Sequence, residues 1–304
     1  ASFGLPTTCG MAVGVCLTCL VTWTIDWADR VPADPHGDAE FHQPLVVSNH
    51  WRIESPRPDS RFRLATWNVK QMKGWEGPIE PGDLGRALSA TQFDVAVLQE
   101  AVGRENWPEP GLYPRKIIAP GVDIPLERNA ASAFVGTERR FGKAVAGNGL
   151  LTKFDYGEVH RIPLPDTRGK AFRTAVLTTV SLPTEQGEAG TAVRILNVHL
   201  TRDDLEPGQI ERVVDLFLAL QAPCVLAGDF NAEENHPELR RMLAEHDVTD
   251  ALAGLDPAVV LDALPIGKEK VDHIFVRGLT VEDAAVVKTN ASDHPLYWAD
   301  LKLP

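Results

Sequence analysis

An acid and an amide two residues apart, Asp229 and Asn231, close a short apolar run, Cys224-Val225-Leu226-Ala227-Gly228. The run reads as a buried strand. Gly228 permits a bend where the strand stops. In extended geometry residues two apart point to one side. A carboxylate and a carboxamide would then stand together at a strand end, where a rigid scaffold presents chemistry. Such a pair can orient water or hold a hard cation. The plain alternative is a turn in which Asp and Asn cap local backbone.

Four further apolar runs end in, or carry, polar groups: Leu64-Ala65-Thr66-Trp67-Asn68, Val95-Ala96-Val97-Leu98-Gln99-Glu100, Ile195-Leu196-Asn197-Val198-His199 and Val271-Asp272-His273-Ile274-Phe275. A sixth cluster, Ser292-Asp293-His294-Pro295, lies near the C-terminus. The set, in this order, resembles the endonuclease/exonuclease/phosphatase superfamily, the DNase I-like fold. Each tetrapeptide is weak alone; six in the family's order are a strong signal. The resemblance runs from about Arg61 to the end.

The resemblance implies a division of labour. Glu100 is the principal Mg²⁺ ligand, with Asn68 and Asp293 beside it. Mg²⁺ suits hard oxygen donors and takes only one or two carboxylates; Mn²⁺ or Ca²⁺ are alternatives. Asp229 orients or deprotonates the attacking water, and Asn231 fixes Asp229 or the phosphate. Asp272 pairs with His294, setting its tautomer and raising its basicity. His199 contacts the phosphate and protonates the leaving oxygen; read alone, it would be a satisfied core histidine. His273 receives no role. Direct hydrolysis follows, with no Ser or Cys nucleophile, and the base is Asp229 or His294. Lys70 stands where many family members carry an acid or amide, which weakens an assignment to the abasic-site endonucleases; it touches a phosphate or is simply solvated. Asn148 contacts substrate or sits in a turn. Arg168 and Arg173 flank the strand from Thr174 and could steer a phosphate. They belong to a stretch, residues 138–173, with eight cations against four acids. A solvated face explains that excess equally well.

The elements that must position these groups can be read coarsely. Asp83 to Thr91 and Ile210 to Leu220 have helical apolar spacing. Short apolar strands alternate with them. The resemblance implies an α+β fold, a four-layer α/β/β/α sandwich of two mixed sheets packed face to face with helices outside, and these elements agree with it. The chain divides into residues 1–60, an apolar segment with a Pro-rich linker, and residues 61–304, the catalytic domain. Residues 103–140 carry five prolines and read as loop.

The 304 residues, 44% hydrophobic, suffice for a sizeable core. Net charge is -12, which argues against broad charge-driven nucleic-acid binding but not against a nuclease whose cation supplies local positive charge. Cys9, Cys16 and Cys19 cluster in an apolar stretch and read as small apolar residues; Cys224 sits in a core strand. His36, His42 and His50 fit no ligating face and read as surface histidines. Gly10 to Ile25 is nearly all apolar, slightly short for a span of about 20 residues, and reads as a membrane anchor or a packed helix. A membrane-anchored or secreted monomer is therefore expected. Its substrate is a phosphate ester, either nucleic acid or a phospholipid or inositol head group. The Trp-Cys-Asp-Arg signature of the inositol polyphosphate 5-phosphatases is absent. A non-catalytic binding protein on the same fold should have lost a metal or catalytic residue, and none is missing.

Overall fold

The computed structural model describes residues 45–47, 60–70, 83–104, 131–139, 144–157, 159–165, 173–183, 190–202, 205 and 208–304. Two mixed sheets carry the fold. In the first, strands β1 (Leu45–Val47), β2 (Arg61–Asn68), β3 (Val95–Arg104), β4 (Ala131–Arg139), β5 (Ala144–Thr152), β13 (Thr280–Val287) and β14 (Leu296–Lys302) lie in the order β1-β4-β5-β3-β2-β14-β13. In the second, β6 (Asp155–Tyr156), β8 (Thr174–Leu182), β9 (Thr191–His199), β10 (Cys224–Asp229), β11 (Val248–Asp250) and β12 (Asp272–Arg277) lie in the order β11-β12-β10-β9-β8-β6, and β7 (His160–Pro163) also pairs with β8.

The two-residue period of the strands builds the layers. In β2, Phe62 and Leu64 face the second sheet and meet Val97, Ile195, Val225 and Ile274. Ala65 and Trp67 face the other way, onto Leu84 and Leu88 of helix α1 (Asp83–Ala90). In β10, Val225 and Ala227 point between the sheets, while Cys224 and Leu226 point outward. There they meet helices α2 (Gln209–Ala219) and α3 (Pro237–Leu243) through Val213, Phe217, Leu239 and Met242. The α2 spacing Ile210, Val213, Val214, Phe217 is one helical face, all buried. Each such side chain contributes about 2 kcal/mol on burial, well above the tenths that propensity offers. The result is the expected helix/sheet/sheet/helix sandwich. A fourth helix, α4 (Pro257–Ala263), starts at the Asp256 cap.

Three stretches differ from the sequence expectation. Ala131–Arg139, expected as loop, is a strand, because pairing with β5 over its length overrides weak local propensity. Leu45–Val47, within the stretch read as linker, pairs with β4 as an edge strand. Asn231 is not extended after Asp229: its φ is 49°, so the two side chains do not project side by side as an extended chain would have them. The apolar segment at residues 10–25, the three N-terminal cysteines and His36, His42 and His50 lie outside the described residues. Among the described residues, no helix is long and apolar enough to cross a membrane.

Strand direction decides where the polar ends go. β2 runs parallel to β3, and β9 parallel to β10. Their C-terminal ends therefore lie side by side. β12 and β14 run antiparallel to β10 and β2, so they bring their beginnings to the same edge.

Candidate active site

Register places the residues in pairs. Asp229 is opposite His199 on one side and Asp272 on the other. Asn68 is opposite Gln99. Gly228 makes this approach possible: at φ 147° a Cβ would stand 2.0 Å from the Val198 carbonyl oxygen. Glu100 has φ 51°, at a register shift between Leu98 and Ala101. This bulge redirects its side chain.

Asp229 is the hub, and it is 1% exposed. Its Oδ2 accepts from Asn68 Nδ2 at 2.8 Å, and its Oδ1 accepts from the Asn231 backbone N–H at 2.9 Å. His199 Nε2 lies 3.6 Å and His294 Nε2 3.8 Å from Oδ2. Burial, and then the charge of Asp272, push the Asp229 carboxyl up to about 6 against the pull of His294, Asn68 and Asn231. Asn68 also reaches Glu100 Oε1, at 3.4 Å. Asn231 spends its side-chain amide on the Leu200 carbonyl at 2.8 Å, so it fixes Asp229 through backbone rather than side chain.

His294 Nδ1 lies 2.8 Å from Asp272 Oδ2. Burial alone would lower the imidazole pKa. The charge and hydrogen bond of Asp272, with Asp229 and Asp293 behind them, outweigh that and raise it to about 10. Two residues that sequence reasoning passed over brace this loop. Trp67 Nε1 donates to the His294 carbonyl at 2.9 Å, and Ser292 Oγ donates to the Asn68 carbonyl at 2.6 Å while accepting from the His294 N–H at 3.2 Å. Ser292 stood inside a quoted motif, and Trp67 just before Asn68; only the tertiary contact reveals their use.

Other expected residues are placed differently. Lys70 pairs with Asp293 while 39% of its side chain stays exposed, so it is partly solvated and its charge is engaged by a carboxylate. Asn148 lies mid-strand in β5, 3% exposed, and donates to the Thr174 carbonyl at 3.1 Å. It sits in no turn, and its amide is committed to the neighbouring sheet. Arg173 touches His199 Nδ1 at 2.8 Å and Thr201 Oγ1 at 3.0 Å, which turns it inward instead of toward a free phosphate. Burial first, and then the charges of Arg173 and His294, hold the His199 pKa well below its usual value. Arg168 lies outside the described residues. His273 is a core residue, stacked on Phe275 with centroids 5.3 Å apart.

A cleft of about 590 Å³ opens over this edge, with Asp272, Asp293 and His294 in its floor and Arg202, Asn235 and Lys268 on its walls. The residues fit a hard divalent cation. Asp293 Oδ1 is buried with no hydrogen-bond partner among the described residues. Burial first, and then the charge of Asp272 beside it, make a bare carboxylate at Asp229 costly. Asp229, Asp272 and His294 also bring three ligand-type atoms within 4.8 Å of one another. His294 would have to surrender its proton to ligate, so Glu100 and Asp293 are the better oxygen donors.

The sequence pattern of the Endonuclease/Exonuclease/phosphatase family matches residues 65–294. The chain belongs to that family. A UPF0294 protein from Yersinia pseudotuberculosis is 34% identical over 254 residues, covering 80% of this chain and 84% of that one. Among solved structures, the endonuclease/exonuclease/phosphatase from Beutenbergia cavernae superposes with a TM-score of 0.61 at 21% identity, over 80% of this chain and 72% of that one. A D. rerio TDP2 complexed with single strand DNA product gives 0.53 at 17%, over 80% of this chain and 100% of that one. Both structures share the fold. Membership identifies the chain with a family of phosphoester hydrolases.

Proposed function

We propose that this protein is a divalent-cation-dependent phosphodiesterase that cleaves nucleic-acid phosphodiester bonds by direct attack of water. The observation that carries the reading is Asp229: a buried carboxylate held by Asn68 and the Asn231 backbone, with two imidazoles within 4 Å, at the edge under an open polar cleft.

Phosphodiesters resist attack because their oxygens are negative. A cation held by Glu100, with Asn68 and Asp293 beside it, would neutralise part of that charge as a Lewis acid. His294 keeps its proton through Asp272 and offers a second positive charge to the phosphoryl oxygens. A protonated imidazole cannot take a proton, so the water's proton passes to Asp229; the P–O bond to the leaving oxygen breaks as the new one forms, and that oxygen takes its proton from solvent water. The raised Asp229 pKa suits a base working near neutrality. The hydrogen bonds from Asn68 and Asn231 keep that carboxylate from rotating.

The cleft lining is mainly polar, with Arg202 and Lys268 alongside Glu233 and Glu269, so backbone phosphates would meet both cations and acids there. The DNA product in the TDP2 neighbour supports the same substrate class. A second reading, a phospholipid or inositol head group, is favoured by one feature. Ile266 is fully exposed between Leu264 and Gly267, which line the cleft; an apolar lip beside a phosphoesterase site suits a lipid surface.

Supercoiled plasmid tests the proposal. Nicking that needs Mg²⁺, stops with chelator and is lost in Asp229→Asn is the expected result. A folded protein that binds Mg²⁺, leaves plasmid and single strands intact, and hydrolyses a phospholipid would replace the nuclease reading with the lipid one.

A further inference from the structure

The cluster around His199 contains a constraint that the reaction scheme above does not use. β8 and β9 pair antiparallel, with Ala175 opposite Val198. Two residues before Ala175, the chain therefore carries Arg173 alongside the end of β9. The guanidinium meets the ring there, with NH1 2.8 Å from His199 Nδ1. It is anchored from behind, because Arg173 Nε donates to Thr201 Oγ1 at 3.0 Å. Thr201 is held in turn: its backbone N–H donates to Gln209 Oε1 at 3.0 Å. Gln209 is fully buried at the start of α2, and its Nε2 donates to the Pro165 carbonyl at 3.3 Å.

A guanidinium has five N–H donors and no acceptor. A short contact from it to an imidazole nitrogen is a hydrogen bond only if that nitrogen is bare. His199 Nδ1 must then be the acceptor, and the ring's proton must sit on Nε2. That nitrogen faces the site, 3.6 Å from Asp229 Oδ2 and 4.0 Å from Glu100 Oε1. We propose that Arg173 is a positioning residue that fixes His199 as the neutral Nε2–H tautomer, so that the ring presents a hydrogen-bond donor to the cleft.

The catalytic consequence rests on the phosphodiesterase reading; the tautomer does not. While Arg173 occupies Nδ1, His199 cannot become an imidazolium. Its part in hydrolysis is to donate Nε2–H to a phosphoryl oxygen and to steady the Asp229 carboxylate. It is not the acid that delivers a proton to the leaving oxygen, the role that the family resemblance implied. The arrangement also explains why a cation is turned inward at a site meant for anionic substrates: the guanidinium sets a neighbour's proton instead of touching the phosphate.

The test is nitrogen NMR of the histidine rings in the purified full chain, with the His199 signals assigned by their loss in His199→Gln. In the wild type, Nδ1 should resonate as a bare, pyridine-like nitrogen and Nε2 as an N–H. Arg173→Met should populate the other tautomer, and Arg173→Lys, which restores a donor, should return the ring to Nε2–H. With an active preparation, Arg173→Met should lower kcat about ten-fold with KM little changed, the pattern of an interaction made in the transition state. A proton on Nδ1 in the wild type would overturn the inference. So would an unchanged tautomer in Arg173→Met or, if that variant does not fold, in Arg173→Leu, since either removes the donor that faces Nδ1. A correct tautomer in a protein that hydrolyses no phosphodiester would instead retire the functional reading and leave the positioning role standing.

Discussion

His273 gives the sharpest test of the electrostatics. Its ring packs against both Phe230 and Phe275, at right angles to the first and stacked on the second. Nε2 donates to the Ala232 carbonyl at 2.9 Å. Nδ1 is buried with no partner among the described residues, so a second proton would enter an apolar slot. Burial, and next the charge of Lys270, lower the pKa from 6.5 to about 3. In the unfolded chain the ring protonates as pH falls through 6.5, whereas the folded ring resists until about 3. Between those values the unfolded state binds the extra proton, so stability falls as pH falls. The slope is about 1.4 kcal/mol per pH unit, which gives about 3 kcal/mol lost between pH 7.5 and pH 4. That is a large part of a typical 5–15 kcal/mol, roughly. His273→Phe keeps the aromatic packing and gives up the bond to Ala232, at about 1 kcal/mol. Urea unfolding of both proteins at the two pH values should therefore show the variant weaker at pH 7.5 and stronger at pH 4, with the m-value unchanged. Equal losses in the two proteins would refute the burial argument.

Four further outcomes are expected. Gly228→Ala sets a Cβ 2.0 Å from the Val198 carbonyl oxygen at a φ of 147°; expression trials should yield no soluble folded protein, or one destabilised by more than about 3 kcal/mol. Asn197→Leu strips the Leu98 and Gly149 carbonyls of donors at 3.2 and 3.0 Å and Gln99 of its acceptor at 2.9 Å; thermal unfolding should register a loss of about 2–4 kcal/mol. Asp272→Asn removes the carboxylate that keeps His294 charged, and initial rates on phosphodiester substrates should fall by roughly 10²-fold while the melting temperature changes little. Chelator should abolish those rates, and Mg²⁺ should restore them in the wild type but not in Glu100→Gln.

The parts of the fold legible in the sequence are those written in short-range pattern. The alternation Phe62, Leu64 against Ala65, Trp67 states which side of β2 faces which layer, and the structure divides the same residues between two core clusters. Helix α2 declares its buried face by its spacing. β4 does not, because Ala131, Ser132 and Ala133 have little strand preference and owe their form to β5, which they meet only after folding. The site divides along the same line. That Asn68, Glu100, His199, Asp229, Asp272 and His294 gather at one edge follows from parallel pairs and their antiparallel neighbours, which motif order can suggest. What each side chain does there does not follow.

Asn231 and Glu100 both adopt positive φ, and no spacing rule applies once the backbone turns. Asn231 therefore holds Asp229 by its N–H, and Glu100 reaches the site from a bulge. The cations show the same limit most clearly. Lys70, Arg168 and Arg173 read alike in sequence, as positive charge near a phosphate site. Lys70 is spent on Asp293, and Arg173 on a ring nitrogen. A guanidinium is costly to bury without partners, and the bond from Thr201 to Gln209 lets this one stay. On the phosphodiesterase reading, the cations among the described residues that line the cleft are Arg202 and Lys268, which stand there beside Glu233 and Glu269. Arg202→Ala and Lys268→Ala should accordingly raise KM for a phosphodiester substrate and leave kcat nearly unchanged, the reverse of the Arg173 pattern.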